Sequence, residues 1–516
     1  MKFDLIEKIK KTNIRYKLTF LSVMIFGLFS QGMGMFNKYS YSDDIGGGFS
    51  TLGASITSGR WMLEVFSRIE TFIFGDGHYS LPLFNGVVSI IYISIAACLI
   101  VSLLDIKNNL LCICVGGIMV VFPTITGIFG YIFTAPSYML SMLVGVYGTS
   151  LICKNNSLLK TIIGILLITC SVGVYQAFIP VILSLFVFYL IKLCSEQNIE
   201  IKTIYTKIAK AVASIVVSIV LYFVINKIVL SICNQELTSY LGIDTMGKSS
   251  IGDYLYRILF AYGRFFILDQ SKEYYVFYSN IKYVYYALMA IAFVLMIIMF
   301  KKIFNVDKAK SFILLLLFAA VPLASNFIFV MVDASNVHAL MVYGQLMPFI
   351  LLIWMLDNVD VDVQFVKYIS IVATALLLLM NVMFCRFDNQ CYLEAEYVQQ
   401  ETISYFTTLV TRIKSTENYD DELPVSFVFI DGSRIEDKSI YEIEHLNYIN
   451  VNPYDDMYYY VNNYEWKNFM KRWCGYNPEI VDGSDLVNNK EVLDMPCYPD
   501  YGSIKVVDNR VVVRFR

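Results

Sequence analysis

The chain has 516 residues, 57% of them hydrophobic and only 16% charged, with a mean hydropathy of +0.59. That is too apolar for a soluble domain of this length and marks a polytopic membrane protein. The net charge of −3 hides a division near Arg386, with about 27 basic and 20 acidic residues before it and about 13 and 23 from it onward. A basic membrane portion, 1–385, thus precedes an acidic, water-facing domain, 386–516.

Lys2, Lys8, Lys10, Lys11, Arg15 and Lys17 precede a first apolar run, 18–36, that is long enough to span a bilayer. Its length and its lack of a small-residue cleavage site read as an uncleaved first helix. The positive-inside rule puts this N-terminus in the cytoplasm and the following loop, 37–80, outside. That loop carries Ser42-Asp43-Asp44, the run Gly46-Gly47-Gly48 and Ser58-Gly59-Arg60-Trp61. Across 49–74, apolar residues at helical spacing alternate with Arg60, Glu64, Arg68 and Glu70, which predicts helices lying in the membrane interface.

Further apolar segments occupy 81–104, 110–129, 138–153, 158–176, 178–193, 211–232, 283–300, 311–332, 340–356 and 368–385. With the first they predict about eleven transmembrane helices. Alternation puts Lys107, Lys154 with Lys160, Lys202 to Lys210 and Lys301 to Lys310 on the cytoplasmic side, so each of these short connections is basic, as the rule requires. An odd number of crossings leaves the tail outside. A second long outer loop, 233–281, holds Arg257, Arg264, Asp269, Lys272 and Glu273 among many tyrosines, a composition suited to the headgroup region. In the tail, 393–413 begins with Glu394 and Glu396 and ends with Arg412 and Lys414, the charge order a helix dipole favours. A β-like run at 425–430 and a hairpin at 503–516 complete a small α/β domain. Of the eleven cysteines, Cys474 and Cys497 lie together in this tail, as a disulfide pair would if the tail is extracytoplasmic.

A carboxylate at the bilayer centre costs roughly 3 kcal/mol, so Asp43 and Asp44 belong at the outer interface. There they suit a general base or a pair of oxygen ligands for a divalent cation, Mg or Mn; an acid pair in a solvated turn capping the next helix is the plain alternative. Arg60 and Arg264 are candidates for a substrate phosphate, with contact to lipid headgroups the competing reading for Arg60. Tyr175-Gln176 falls at an outer turn between two apolar runs, where Gln176 either bonds a sugar hydroxyl or satisfies backbone freed at the break. His338 sits at another outer turn, for substrate contact or for structure. Gly127, Gly130, Gly145 and Gly148 lie in apolar helix context, without the lysine of a phosphate loop, and suit close helix packing. No metalloprotease or hydrolase motif is present, nor a basic stripe for nucleic acid. A transporter or flippase would need an internal repeat and midplane breaks, and no repeat is visible.

Ser42-Asp43-Asp44, Gly59-Arg60-Trp61, Gly173-Val174-Tyr175-Gln176-Ala177, His338 with Tyr343-Gly344, and Met495-Pro496-Cys497-Tyr498-Pro499, in this order after a basic tail and first helix, resemble the bacterial O-antigen glucosyltransferases of serotype-converting type. That family is similar to the broader GT-C membrane glycosyltransferases. The resemblance implies a sugar donor, usually glucose, carried on undecaprenyl phosphate, and a polysaccharide or lipid-linked glycan acceptor outside the cytoplasmic membrane. In these terms Asp43 or Asp44 is the base, Arg60 and Arg264 meet the donor phosphate, Tyr175, Gln176 and His338 line the substrate site, and transfer inverts the sugar carbon. An O-antigen polymerase or ligase shares this topology, and the donor would separate the two.

Overall fold

The computed structural model describes residues 12–39, 48–49, 54–75, 78–239, 250–268, 276–278, 280–359, 364–430 and 463–515. The chain divides into two compact units, residues 1–36 with 50–389 and residues 37–49 with 390–516.

The first unit is helical. In chain order it contains α1 (Ile14–Phe36), α2 (Ala54–Thr57), α3 (Trp61–Phe74), α4 (Pro82–Leu104), α5 (Asn109–Val121), α6 (Thr124–Phe129), α7 (Ala135–Lys154), α8 (Leu158–Val174) and α9 (Ile179–Ser195). It continues through α10 (Ile201–Ile232), α11 (Ile251–Phe266), α12 (Ile281–Phe304), α13 (Lys308–Ser325), α14 (Ile328–Met331), α15 (Met347–Asn358) and the first part of α16 (Gln364–Lys414). Among the described residues eight helices are long and apolar enough to cross a membrane: α1, α4, α7, α9 with the turn before it, α10, α12, α13 and α16.

The other three expected spans are helical but shorter, at α5 (13 residues), α8 (17) and α15 (12). Two of these three, and the expected span at 311–332, are cut short for a local reason. Pro123, which has no N–H to continue the ladder, separates α5 from α6. Pro322 lies inside α13, and the helix ends three residues later; Ser325 Oγ donates back to the Val321 carbonyl at 2.9 Å, and Asn326 Nδ2 donates to Ala261 O at 3.0 Å. Residues 334–346 form successive 3-10 turns before α15 begins. Backbone freed in this way must be satisfied within the protein, and two of the breaks do so against each other. Thr124 Oγ1 donates to Ala339 O at 2.9 Å, and Tyr343 Oη donates to Met119 O.

Close helix approach comes from the expected glycines. A Cβ on Gly148 of α7 would stand 2.8 Å from Gly164 O of α8, and one on Gly145 would stand 2.7 Å from Ser171 Oγ.

The lysines of the short connections serve as helix caps. Lys154 Nζ donates to Ser102 O (2.6 Å) at the end of α4, and Lys210 Nζ to Ile152 O (2.9 Å) and Asn155 O (2.6 Å) at the end of α7. Lys310 Nζ donates to Glu196 O (3.2 Å) and Gln197 O (3.3 Å) just past α9. The last carbonyls of a helix lack intrahelical partners and carry its negative dipole end, so an ammonium is well placed there.

Both long loops contain amphipathic helices. On α3, Trp61, Leu63, Glu64 and Ser67 are buried, while Ile69, Phe72, Ile73 and Phe74 are exposed. On α11, Ile251, Leu255 and Leu259 form an exposed apolar stripe at four-residue spacing, and Ala261 is buried. The N-terminus of α11 is closed by a reciprocal capping box between Ser250 and Asp253.

In the second unit, β1 (Val425–Phe429), α17 (Asn463–Trp473), α18 (Lys490–Leu493), β2 (Ile504–Val507) and β3 (Arg510–Phe515) follow the last part of α16. The sheet order is β1-β3-β2, with β1 parallel and β2 antiparallel to β3. Alternation along β3 explains the two-sided core. Val511, Val513 and Phe515 join Phe406, Leu409, Ile413, Trp466 and Phe469 on one face, and Val512 joins Val428, Leu486, Val492 and Met495 on the other. The expected hairpin at 503–516 is therefore present, and its partner strand is the run predicted at 425–430. The expected helix at 393–413 is the C-terminal part of α16, a helix of 51 residues.

Candidate functional site

The site is built on a sharp turn. Gly59 has φ +70, a left-handed conformation, and Arg60 N bonds Ser55 O at 2.7 Å, which closes α2 and directs the chain into α3. The Gly59 carbonyl accepts from Gln176 Nε2 (3.1 Å) and from Tyr222 Oη (3.1 Å), and Gln176 Nε2 also lies 2.9 Å from Tyr222 Oη. On the other side of the turn Trp61 packs against Gly173, where a Cβ would come within 2.6 Å of the indole. Two short stretches 114 positions apart, Gly59-Arg60-Trp61 and Gly173 to Gln176, thus interlock through backbone approach and buried hydrogen bonds.

Arg60 is held beside a tyrosine stack. The rings of Tyr138 and Tyr175 lie parallel, 4.3 Å between centroids and 8° between planes. Arg60 Nη1 donates to Tyr138 Oη at 3.0 Å, and the guanidinium carbon stands 5.9 Å from the Tyr138 centroid and 5.4 Å from that of Tyr175. Tyr175 Oη donates to Leu340 O at 3.2 Å, which ties the His338 segment to the same stack. His338 itself is half-buried two residues before that carbonyl. The guanidinium is oriented by these contacts at the start of α3, where the positive end of the helix dipole also lies, an arrangement suited to an anionic oxygen. On the first turn of α3, Glu64 is buried, bonded to Arg68 Nε at 3.0 Å and to Ser55 Oγ at 3.4 Å.

The structure therefore brings together Arg60, Tyr175, Gln176 and the His338 segment. Gln176 Nε2 is engaged by the Gly59 turn and by Tyr222, not by backbone of its own helix break. Arg264 is on α11, its guanidinium 4.7 Å from the Phe260 ring. Asp43 and Asp44 lie outside the described residues. Among the described residues no three His, Cys, Asp or Glu side chains gather as a metal ion would need. In the second unit Cys474 and Cys497 are free thiols, and Cys474 Sγ lies 3.9 Å from Thr407 Oγ1.

Sequence reasoning missed four polar residues. Tyr138 and Tyr222 lie in apolar runs where a tyrosine reads as packing. Arg257, on α11 at seven-residue spacing before Arg264, has a buried Nη1 with no hydrogen-bond partner among the described residues. It faces the loop before His338: Asp333 is held below the usual carboxylate range by the backbone and hydroxyl of Ser335, against burial and with help from Arg257. Asp388 is fully buried on α16, with Oδ2 at 3.4 Å from Gln31 Nε2 and Oδ1 without a partner among the described residues. It follows Arg386, so by sequence it reads as already past the membrane. A buried carboxylate in such a setting is a functional candidate by default.

A bundle of membrane-length helices that gathers an oriented arginine, stacked tyrosines and a buried glutamine around one turn defines a polytopic membrane protein with a polar, aromatic cluster at that turn. The family model for Glucosyl transferase GtrII matches residues 32–349, more than half of the chain. The chain belongs to this glucosyltransferase family. No match was found among curated proteins or among solved structures. The matched span contains Asp43, Asp44, Arg60, Tyr175, Gln176, Arg264 and His338, and ends within α15, before α16 and residues 390–516.

Proposed function

We propose that the protein transfers glucose from a polyprenyl-phosphate donor to a cell-surface glycan at the outer side of a bacterial cytoplasmic membrane. In this reading the N-terminus is cytoplasmic and the C-terminal unit extracytoplasmic. The observation that carries it is the Arg60 arrangement, in which a guanidinium already oriented by Tyr138 and Tyr175 sits at the start of α3, inside the span matched by a glucosyltransferase family. Donors preorganised toward developing charge stabilise a departing phosphate without reorganising during the reaction.

The proposed reaction is a single displacement. Asp43 or Asp44 takes the proton of the acceptor hydroxyl as its oxygen attacks the anomeric carbon. The carbon–oxygen bond to phosphate breaks, polyprenyl phosphate departs against Arg60, and the anomeric centre inverts. Arg257 and Arg264 of α11 are further candidates for the donor phosphate, and His338 for a sugar hydroxyl. A divalent cation, if one takes part, belongs to Asp43 and Asp44.

The deciding experiment gives the purified full chain radiolabelled polyprenyl-phosphoglucose and glycan acceptors. Transfer is expected in the wild type and lost in Asp43→Asn or Asp44→Asn. Full activity in both variants would remove the base assignment, and transfer only from a polyprenyl-diphosphate oligosaccharide would point instead to a polymerase or ligase.

A further inference from the structure

At the other end of the first unit from Arg60 lies a cavity that the transfer reaction does not use. Tyr138 and Lys154 stand near opposite ends of the 20-residue α7, a helix about 30 Å long at 1.5 Å per residue. The cavity, of about 270 Å³, opens among the ends of α4, α9, α12, α13 and α15. Four lysines line it, Lys107, Lys192, Lys302 and Lys310. Trp354 lines it too; this side chain is 1% exposed, and its indole Nε1–H has no acceptor among the described residues.

Three acids share the lining, but two are committed elsewhere. Asp105 is paired with Arg15 at 2.8 Å, and Asp307 caps α13 by accepting from Ala309 N and Lys310 N. Four ammonium groups, with Arg15 on Asp105, thus stand against three carboxylates, and Lys107 Nζ lies 3.8 Å from Asp105, so the lining keeps a net positive charge. A buried N–H donor without an acceptor, together with clustered lysines, is what an anionic oxygen would satisfy.

We propose that this cavity binds a phosphate group, supplied by an anionic phospholipid headgroup or by a free phosphate compound. Its volume lies just below the range of about 300–1,000 Å³ typical of sites for drug-sized ligands, which favours a headgroup-sized phosphate over a whole sugar nucleotide. The lipid source has a second support. Val306 lines the cavity, and Val306 and Phe304 expose 65% and 45% of their surface at the end of α12, where acyl chains would lie. Basic pockets between helix ends are a recurring form of headgroup site.

The test uses the purified full chain in an uncharged detergent. Native mass spectrometry is run with phosphatidylglycerol and with phosphatidylcholine, and thermal unfolding with inorganic phosphate and glycerol phosphate. Phosphatidylglycerol is expected to bind at least tenfold more tightly than phosphatidylcholine. Lys302→Glu, at an exposed position, should lower that affinity about tenfold, and Trp354→Phe, which removes only the N–H donor from the ring system, several-fold. The Lys202→Glu variant, at an exposed lysine outside the cavity, should bind as the wild type does. A stabilising shift with free phosphate that Lys302→Glu abolishes would assign the site to a soluble compound, and lipid retention without that shift would assign it to the headgroup. Equal binding of both lipids with no phosphate shift would overturn the proposal. So would unchanged affinity in Lys302→Glu and Trp354→Phe, or an equal loss in Lys202→Glu.

Discussion

Replacing Gly59 by alanine should damage the site through two separable effects. The backbone at φ +70 lies in the left-handed region, which costs a residue with a Cβ about 1–2 kcal/mol. The new Cβ would also stand 2.6 Å from Tyr222 Oη and 3.2 Å from Gln176 Nε2, the two donors that bond the Gly59 carbonyl. Displacing them forfeits two hydrogen bonds, each worth about 1 kcal/mol net, for a total loss of about 3–4 kcal/mol. Gly75 provides the control, because its φ is +84 with nothing within 4 Å of an added Cβ. Gly75→Ala should therefore show the backbone cost alone. Thermal unfolding in detergent, with transfer activity measured in parallel, separates the two. Adding Tyr222→Phe to Gly59→Ala removes the clashing hydroxyl and should recover part of the loss, so the double variant is less impaired than the single effects sum to. If Gly59→Ala and Gly75→Ala are equally mild, or if Tyr222→Phe makes Gly59→Ala worse by its full separate effect, the close packing at this turn is refuted.

Arg60→Lys keeps the charge but loses the planar fork beside the tyrosine stack, and should reduce kcat/KM by about 10²-fold, the scale for removing one preorganised donor; steady-state transfer kinetics check this, and wild-type rates would exclude Arg60 from the donor site. Gln176→Ala leaves the Gly59 carbonyl and Tyr222 hydroxyl short of a buried partner and should cost about 1–3 kcal/mol in unfolding experiments. Asp105 is pushed up by burial, but the Arg15 hydrogen bond and the charges of Lys192, Arg15 and Lys107 prevail and hold its carboxyl below the usual range. The pair therefore stabilises the fold above the ordinary carboxylate pKa, and that contribution disappears as pH falls through the depressed value. Because Asp105 is 44% exposed, the effect should stay under about 1 kcal/mol, and Arg15→Gln should flatten the acid limb of a stability profile. Cys233 is the exposed cysteine after α10, so a membrane-impermeant maleimide applied to intact cells should label it if the second long loop faces outward; labelling only after lysis would invert the proposed orientation.

Periodicity and charge were enough to locate most helices. The apolar runs, the basic short connections, the amphipathic α3 and α11 and the small sheet of the second unit all follow from local pattern, because burial in a bilayer or against one core imposes a period that each segment carries by itself. Pattern overstated the length of the segments at 110–129, 311–332 and 340–356, where Pro123, Pro322 and the turns after Asp333 end helices that continuous apolarity makes look unbroken. The site was legible only as separate pieces. Arg60 and Tyr175-Gln176 stood out as polar groups at turns, whereas Tyr138, Tyr222, Arg257 and Asp388 did not, since a tyrosine in an apolar run or a charge near a helix end carries no sign of what it faces. Contacts between residues distant in sequence decided the rest: the Gly59 carbonyl meeting Gln176 and Tyr222, Trp61 resting on Gly173, and four lysines converging with Trp354 around one cavity. Local composition specifies each helix and its apolar face, but only the packing of helices against one another sets which polar atoms lie within hydrogen-bonding distance.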